Sequence, residues 1–188
     1  NDNMYVGYMY TRGYVNGNGT NSTIKGVLDS WYSSNLSSYA SKIATGGGAA
    51  FCNDRTPYSG TGIGKAETDY DAYNRLVDNT APTFKCTDTE DRFAASVGLI
   101  TADEVAYAGG VEGTDNSGYY LHTGQNYWTM SPAYYANGAA VFYVEPVGML
   151  DDSDVNRTRN VRPVINLKAD TTFADGGTGT SSNPYVVS

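Results

Sequence analysis

The sequence predicts an α+β domain, with two helices around a small mixed or antiparallel sheet and long irregular connecting loops. Three observations point there. The chain of 188 residues holds 22 Gly and 17 Tyr with only 17% charged side chains, too aromatic for a disordered chain and too poor in Leu for a helical bundle. Two windows carry helical periodicity with capping residues at their starts. Two further stretches, Tyr127–Pro132 and Val161–Leu167, read as buried strands: aromatic or β-branched residues, each beside a proline that suits a strand end. The length fits one domain spanning residues 1–188.

In chain order, Met4 to Tyr10 is a strand candidate, ended by Arg12-Gly13 and the Gly/Asn cluster from Asn16 to Thr20. Asn21, Ser22 and Thr23 offer capping oxygens to a helix whose Ile24, Val27, Leu28 and Trp31 share one apolar face. Trp31 is therefore read as core, and Gly26 weakens this helix by about 1 kcal/mol relative to Ala. Ser37 to Ala44 reads as a second short helix, stopped by Gly46-Gly47-Gly48. The Gly-rich passage from Ser59 to Gly64 is no phosphate loop, because Gly64-Lys65 is followed by Ala66 where Ser or Thr is needed. Tyr70 to Leu76 reads as a short turn of helix. Asp88, Glu90 and Asp91 cluster without EF-hand spacing and read as a solvated loop.

The sharpest helix start follows. Thr101 with Glu104 three residues on forms a capping box, and Gly109-Gly110 stop the helix. Tyr119 to His122 is predicted as a strand. After Leu167 the chain enters a Gly/Ser/Thr turn region, and Asn183 to Val187 is expected to form a short strand that pairs near Met4–Tyr10.

Several function classes are disfavoured. A net charge of −8 leaves no basic stripe for nucleic acid. No apolar run reaches membrane-spanning length, so membrane insertion by this segment is not expected. Nothing at the N-terminus looks like a signal peptide, and the opening Asn1-Asp2-Asn3-Met4 leads us to expect a mature form cut from a longer precursor. His122 is the only histidine, which excludes a multi-histidine metal centre. As a catalytic base it would need Cys52, Cys86 or a serine beside it. Cys52 and Cys86 read either as a disulfide, worth on the order of 3–4 kcal/mol, or as buried thiols or a redox pair. No cofactor and no metal site is predicted.

With no catalytic set elsewhere, the chemically mixed region between the two strands becomes the candidate site, a binding surface over residues 133–160. Its rings and amides are Tyr134, Tyr135, Asn137, Tyr143 and Asn156. Its charges are Glu145, Asp151, Asp152, Asp154, Arg157 and Arg159, and Met149 adds an adaptable apolar group. Tyrosine gives large contact area for little rotamer entropy, as in antibody paratopes. The ligand contacts expected are Tyr134, Tyr135, Asn137, Tyr143, Glu145, Met149, Asp152, Asp154, Asn156 and Arg157, with the aromatic side chains and Arg157 as anchors.

Motifs in matching order over nearly the whole chain carry a resemblance. They include Phe51-Cys52-Asn53-Asp54-Arg55, Ala72-Tyr73-Asn74-Arg75-Leu76, Phe84-Lys85-Cys86 and Gly98-Leu99-Ile100-Thr101-Ala102-Asp103-Glu104. They continue with Tyr127-Trp128-Thr129-Met130-Ser131-Pro132, Val161-Arg162-Pro163-Val164-Ile165-Asn166-Leu167 and Asn183-Pro184-Tyr185-Val186-Val187. The chain resembles a family of bacterial surface domains of unknown function, similar to C-type-lectin-fold proteins of the sulfatase-modifying-factor-like branch. Some members are fused to surface anchors or pilin-like N-termini.

The resemblance implies a C-type-lectin-like fold, a secreted or surface-displayed domain and a Cys52–Cys86 disulfide. It further implies a protein or glycan ligand. The same fold class contains the variable proteins of diversity-generating retroelements, whose randomised positions would fall between Pro132 and Val161 here. A structural pilus or surface-layer subunit without a specific ligand is the alternative, and an enzyme using His122 comes third. Two departures matter. Glu145-Pro146-Val147 resembles the sugar-binding Glu-Pro-Asn motif of calcium-dependent lectins, but Val147 replaces the amide ligand. Formylglycine-generating enzymes of this fold need reactive cysteines, which a Cys52–Cys86 pair would consume.

Overall fold

A hairpin buried on both faces organises the structure. The computed structural model describes residues 21–46, 49–62, 66–86, 88–89, 91–180 and 182–188. The strand predicted at Met4–Tyr10, together with Glu90 and Gly64-Lys65, lies outside the described residues. In chain order the elements are α1 (Thr23–Asn35), a 3-10 segment (Ser37–Lys42), β1 (Ile43–Ala44), β2 (Phe51–Cys52), β3 (Pro57–Gly60) and β4 (Thr68–Tyr70). Then come α2 (Asp71–Tyr73, continued by a π-helical turn Asn74–Asp78), β5 (Arg92–Phe93), α3 (Ala102–Ala108), β6 (Tyr127–Tyr135), β7 (Ala139–Val144), β8 (Leu150–Asp154) and β9 (Asn166–Leu167). The α+β class predicted from sequence is what these elements make.

The main sheet has five antiparallel strands in the order β3-β4-β6-β7-β8. Residues of β7 alternate strictly between two cores. Ala139, Val141 and Tyr143 join Trp128, Met130, Val97, Leu99 and the α1 residues Ile24 and Leu28. Ala140, Phe142 and Val144 join Tyr127, Leu150 and the helical residues Ala72, Leu76, Ala102 and Val105. The sheet is thus covered by α1 on one side and by α2 and α3 on the other. Each large side chain removed from water in this way contributes roughly 1.5–3 kcal/mol. Between Trp128 and Tyr135 the register slips twice against β7. The slip puts Tyr134 against the α2–α3 side while Tyr135, its neighbour, enters the α1 core.

Local chemistry explains the helix ends. The Ser22 hydroxyl accepts from Lys25 N at 3.2 Å and starts α1. Thr101 and Glu104 form the predicted capping box, and Gly109, at φ 120°, receives the end of α3 by donating to Val105 O and Ala106 O. The Cys52–Cys86 disulfide is present and leaves no free cysteine. It ties β2 to the loop that precedes β5.

Five expectations need correction. Trp31 is 39% exposed and Val27 is exposed as well. The buried stripe of α1 runs through Ile24, Leu28 and Tyr32, at i, i+4 and i+8, so Val27 and Trp31 lie off to one side. Ser37–Lys42 is 3-10 helix and ends in a short strand, not a helix, at Ile43–Ala44. Tyr119–His122 is a turn closed by His122 N donating to Tyr119 O at 3.1 Å, with Tyr119 buried and Tyr120 exposed. Val161–Leu167 is half-buried and mostly irregular: Val164 bridges Gly98, and only Asn166–Leu167 pairs with β1. Nor is the region between the two predicted strands all loop: about half of residues 133–160 is paired strand, in β6, β7 and β8. The C-terminal Val187 bridges Phe173, and Ala174 N donates to Val186 O at 2.8 Å.

Candidate functional site

The tip of the β6–β7 hairpin and the outer strand β8 place three of the expected contacts around one depression, with a fourth beside it. Tyr134, Ala136, Asn137, Gly138 and Asp154 line a hollow of about 240 Å³. Asp152 sits two residues from Asp154 on the same face of β8, and the Tyr134 hydroxyl donates to its carboxylate. Tyr73 of α2 meets the Tyr134 ring edge-on, with centroids 5.7 Å apart and planes at 89°. This is a favoured aromatic arrangement, and it props the Tyr134 ring from below.

The electrostatics of this face are acidic. Burial, then the charges of Asp152 and Asp154, push the Tyr134 hydroxyl up to about 12. Burial raises Tyr73 too, with Asp152, Asp78, Glu112 and Asp69 adding to the rise. Asp152 lies above its ordinary value, chiefly through burial and then through Asp151, Glu112 and Asp154. The bond from Tyr134 opposes that rise. The hollow therefore offers carboxylate and amide acceptors beside a phenol that stays protonated. Such a surface is complementary to hydrogen-bond donors.

A second cluster occupies the opposite face of the sheet. Tyr143 is only 6% exposed. Its single hydroxyl proton is shared between Glu145 Oε1, 2.5 Å away, and the more distant Asp151 Oδ2 at 3.2 Å. The Arg159 guanidinium lies 4.3 Å from the Tyr143 ring centroid and 5.7 Å from that of Trp128, and its Nη2 donates to Ser153 Oγ at 3.0 Å. Burial is the main cause that raises the Tyr143 hydroxyl, followed by its bond to Glu145. Rings, cation and carboxylates here pair with one another, although the buried Trp128 Nε1 has no hydrogen-bond partner.

The remaining expected residues are placed as follows. Tyr135 is 3% exposed and packs in the α1 core. Met149 is half-buried at the β7–β8 turn, where its carbonyl accepts from Glu145 N at 2.8 Å. That turn needs Gly148, at φ 84°, because an added Cβ would come within 1.8 Å of Asn116 O. Asn156 and Arg157 follow β8 on a turn closed by Arg157 N to Asp154 O at 3.0 Å, with Arg157 exposed and Asn156 half-buried. Tyr73 was missed as a site residue, and nothing in its local sequence marks it. His122 brings Nε2 to 3.0 Å from the Pro146 carbonyl, a contact that needs the proton on that nitrogen.

Among the described residues, no group of three His, Cys, Asp or Glu side chains is arranged to hold a metal ion. Among them, too, no helix is long and apolar enough to cross a membrane. In comparisons with known proteins, the chain matches no family model, no curated protein and no solved structure.

Proposed function

We propose that this chain is an extracellular or surface-displayed binding domain of C-type-lectin-like fold, non-catalytic, that recognises a protein or glycan through residues 133–160. The observation that carries the reading is the hollow at the hairpin tip. Tyr134 on β6, Asn137 on the β6–β7 turn and Asp154 on β8 line it with Asp152 beside them, and the hairpin that carries the first two is packed between two cores, so the frame of the site is ordered before a ligand arrives. Antiparallel strands sandwiched by helices support the fold assignment. The Cys52–Cys86 bond fits an oxidising compartment. The anchors are the accessible members of the set, Tyr134 and Asn137 with the two carboxylates, and not Tyr135 or Tyr143. The same accessible positions are where retroelement-driven diversity would fall. Two copies from one genome that agree across 133–160 as well as outside it would remove that part of the proposal.

The test is an array of bacterial and host glycans and surface proteins probed with wild type and with Tyr134→Ala. A specific hit should weaken by about thirtyfold in the variant, the loss of a central aromatic anchor. An array with no hit that depends on Tyr134 would favour a structural surface subunit.

A further inference from the structure

A second cleft lies outside residues 133–160, against the disulfide. It measures about 120 Å³ and is lined by Cys52, Cys86, Arg75, Phe84, Lys85 and Glu104 among others. Phe84 is 72% exposed and stacks on Tyr107, itself 51% exposed, with centroids 4.1 Å apart and planes at 16°. An exposed phenyl ring on a loop would ordinarily be mobile. Here the loop is tied at every step. The Tyr107 hydroxyl donates to Pro82 O at 2.8 Å, Thr83 N to Asp103 Oδ1 at 2.8 Å, and Lys85 N to Thr83 Oγ1 at 3.1 Å. Cys86 is bonded to Cys52. Asp103 is in turn held by Arg75 Nε at 3.1 Å and Arg75 Nη2 at 2.7 Å, and Arg75 also grips Asp54.

We propose that this cleft is a second binding site, taking one ring of a neutral oligosaccharide stacked on Phe84. A pyranose presents a flat patch of C–H bonds to an aromatic face and hydroxyls around its rim, and the cleft supplies both complements. Phe84 offers the face turned away from Tyr107, the one its stacking leaves open. Lys85 donates, and Glu104, whose Oε2 accepts from Thr101 N, adds an acceptor with capacity to spare. The volume is too small to enclose a larger ligand, so the rest of the chain would lie across the surface. A proline-rich peptide fits less well. Such peptides dock into grooves lined by aromatic side chains, and Phe84 and Tyr107 close on each other without leaving a slot. Phosphate-bearing ligands would meet Glu104 and the net charge of −8.

Amide chemical-shift mapping tests this directly, using glucose-, mannose-, galactose- and N-acetylglucosamine-based trisaccharides at millimolar concentration and a polyproline peptide as the competing class. At least one sugar should shift Thr83, Phe84, Lys85, Glu104 and Tyr107. Phe84→Ala should weaken that binding about tenfold or more, while Phe84→Tyr keeps a ring and should retain it. Tyr134→Ala should leave these shifts unchanged, so failure at one surface does not stand for failure at the other. No sugar-induced shifts, shifts centred elsewhere, equal affinity in Phe84→Ala, or a response to the peptide alone would each overturn the proposal.

Discussion

Asp152 is where a single side chain reports on the candidate site. Its folded value is raised above 3.8 mainly by burial, then by the neighbouring carboxylates Asp151, Glu112 and Asp154, against the opposing bond from Tyr134. A raised carboxyl contributes stability fully below its unfolded value. That stability is lost as pH rises through the folded value, because the native state then gives up a proton that it holds more tightly than the unfolded chain does. Asn keeps an acceptor for Tyr134 and has no proton to lose. Asp152→Asn should therefore match wild type on the acid side of this window and exceed it in stability at neutral pH. Urea unfolding at intervals between about pH 3 and 7 reads the difference. A gap that stays constant across the range, or that closes as pH rises, would contradict the assignment.

At the scale of elements, α3 is fixed to the sheet by a bond that no sequence pattern announces. Ala102 N donates to Ser131 Oγ at 2.9 Å, and Ser131 is wholly buried in β6. In Ser131→Ala that N–H loses its partner where water cannot replace it, a cost of about 1–3 kcal/mol. Thr101→Ala removes a cap on the same helix at a partly exposed site and should cost about 1 kcal/mol. Denaturant midpoints should rank Ser131→Ala as the more damaging of the two. The reverse order would mean that the buried bond matters less than the cap.

What was legible in the sequence follows the same divide. The ends of α3 and the start of α1 were readable because capping is local chemistry. Strand β6 was readable from Tyr127 to Pro132. Its partner β7 was not, because Ala139–Val144 is covered on both faces and so lacks the alternation that marks a strand. The acidic edge strand β8 carries little apolar signal at all. Tyr135 and Tyr143 looked like surface anchors because tyrosine suits core and surface alike. Which face each takes depends on the register slip beyond Trp128, a pairing with residues far along the chain. Tyr134, Asn137, Asp152 and Asp154 are legible as contact types, but their convergence comes from that same pairing.

For the molecule as a whole, short elements are held by contacts between distant parts of the chain. Ile43 pairs with Leu167, Lys168 N donates to Lys42 O at 2.9 Å, and Asn166 Nδ2 donates to Ala49 O at 3.0 Å. The disulfide is the covalent member of this set. It joins residues 34 apart and encloses β3, β4 and α2 within its loop. By loop-closure entropy the bond should stabilise the fold by about 3–4 kcal/mol, a large share of the roughly 5–15 kcal/mol that a domain possesses. Cys52→Ala combined with Cys86→Ala should lower the urea midpoint accordingly. It should also raise the denaturant slope, since an uncrosslinked unfolded chain exposes more surface. Both changes should appear in wild type on reduction and vanish on reoxidation. A midpoint that barely moves would mean that the buried ion pairs of Arg75 with Asp54 and Asp103, which cross the same region, already hold it without the bond.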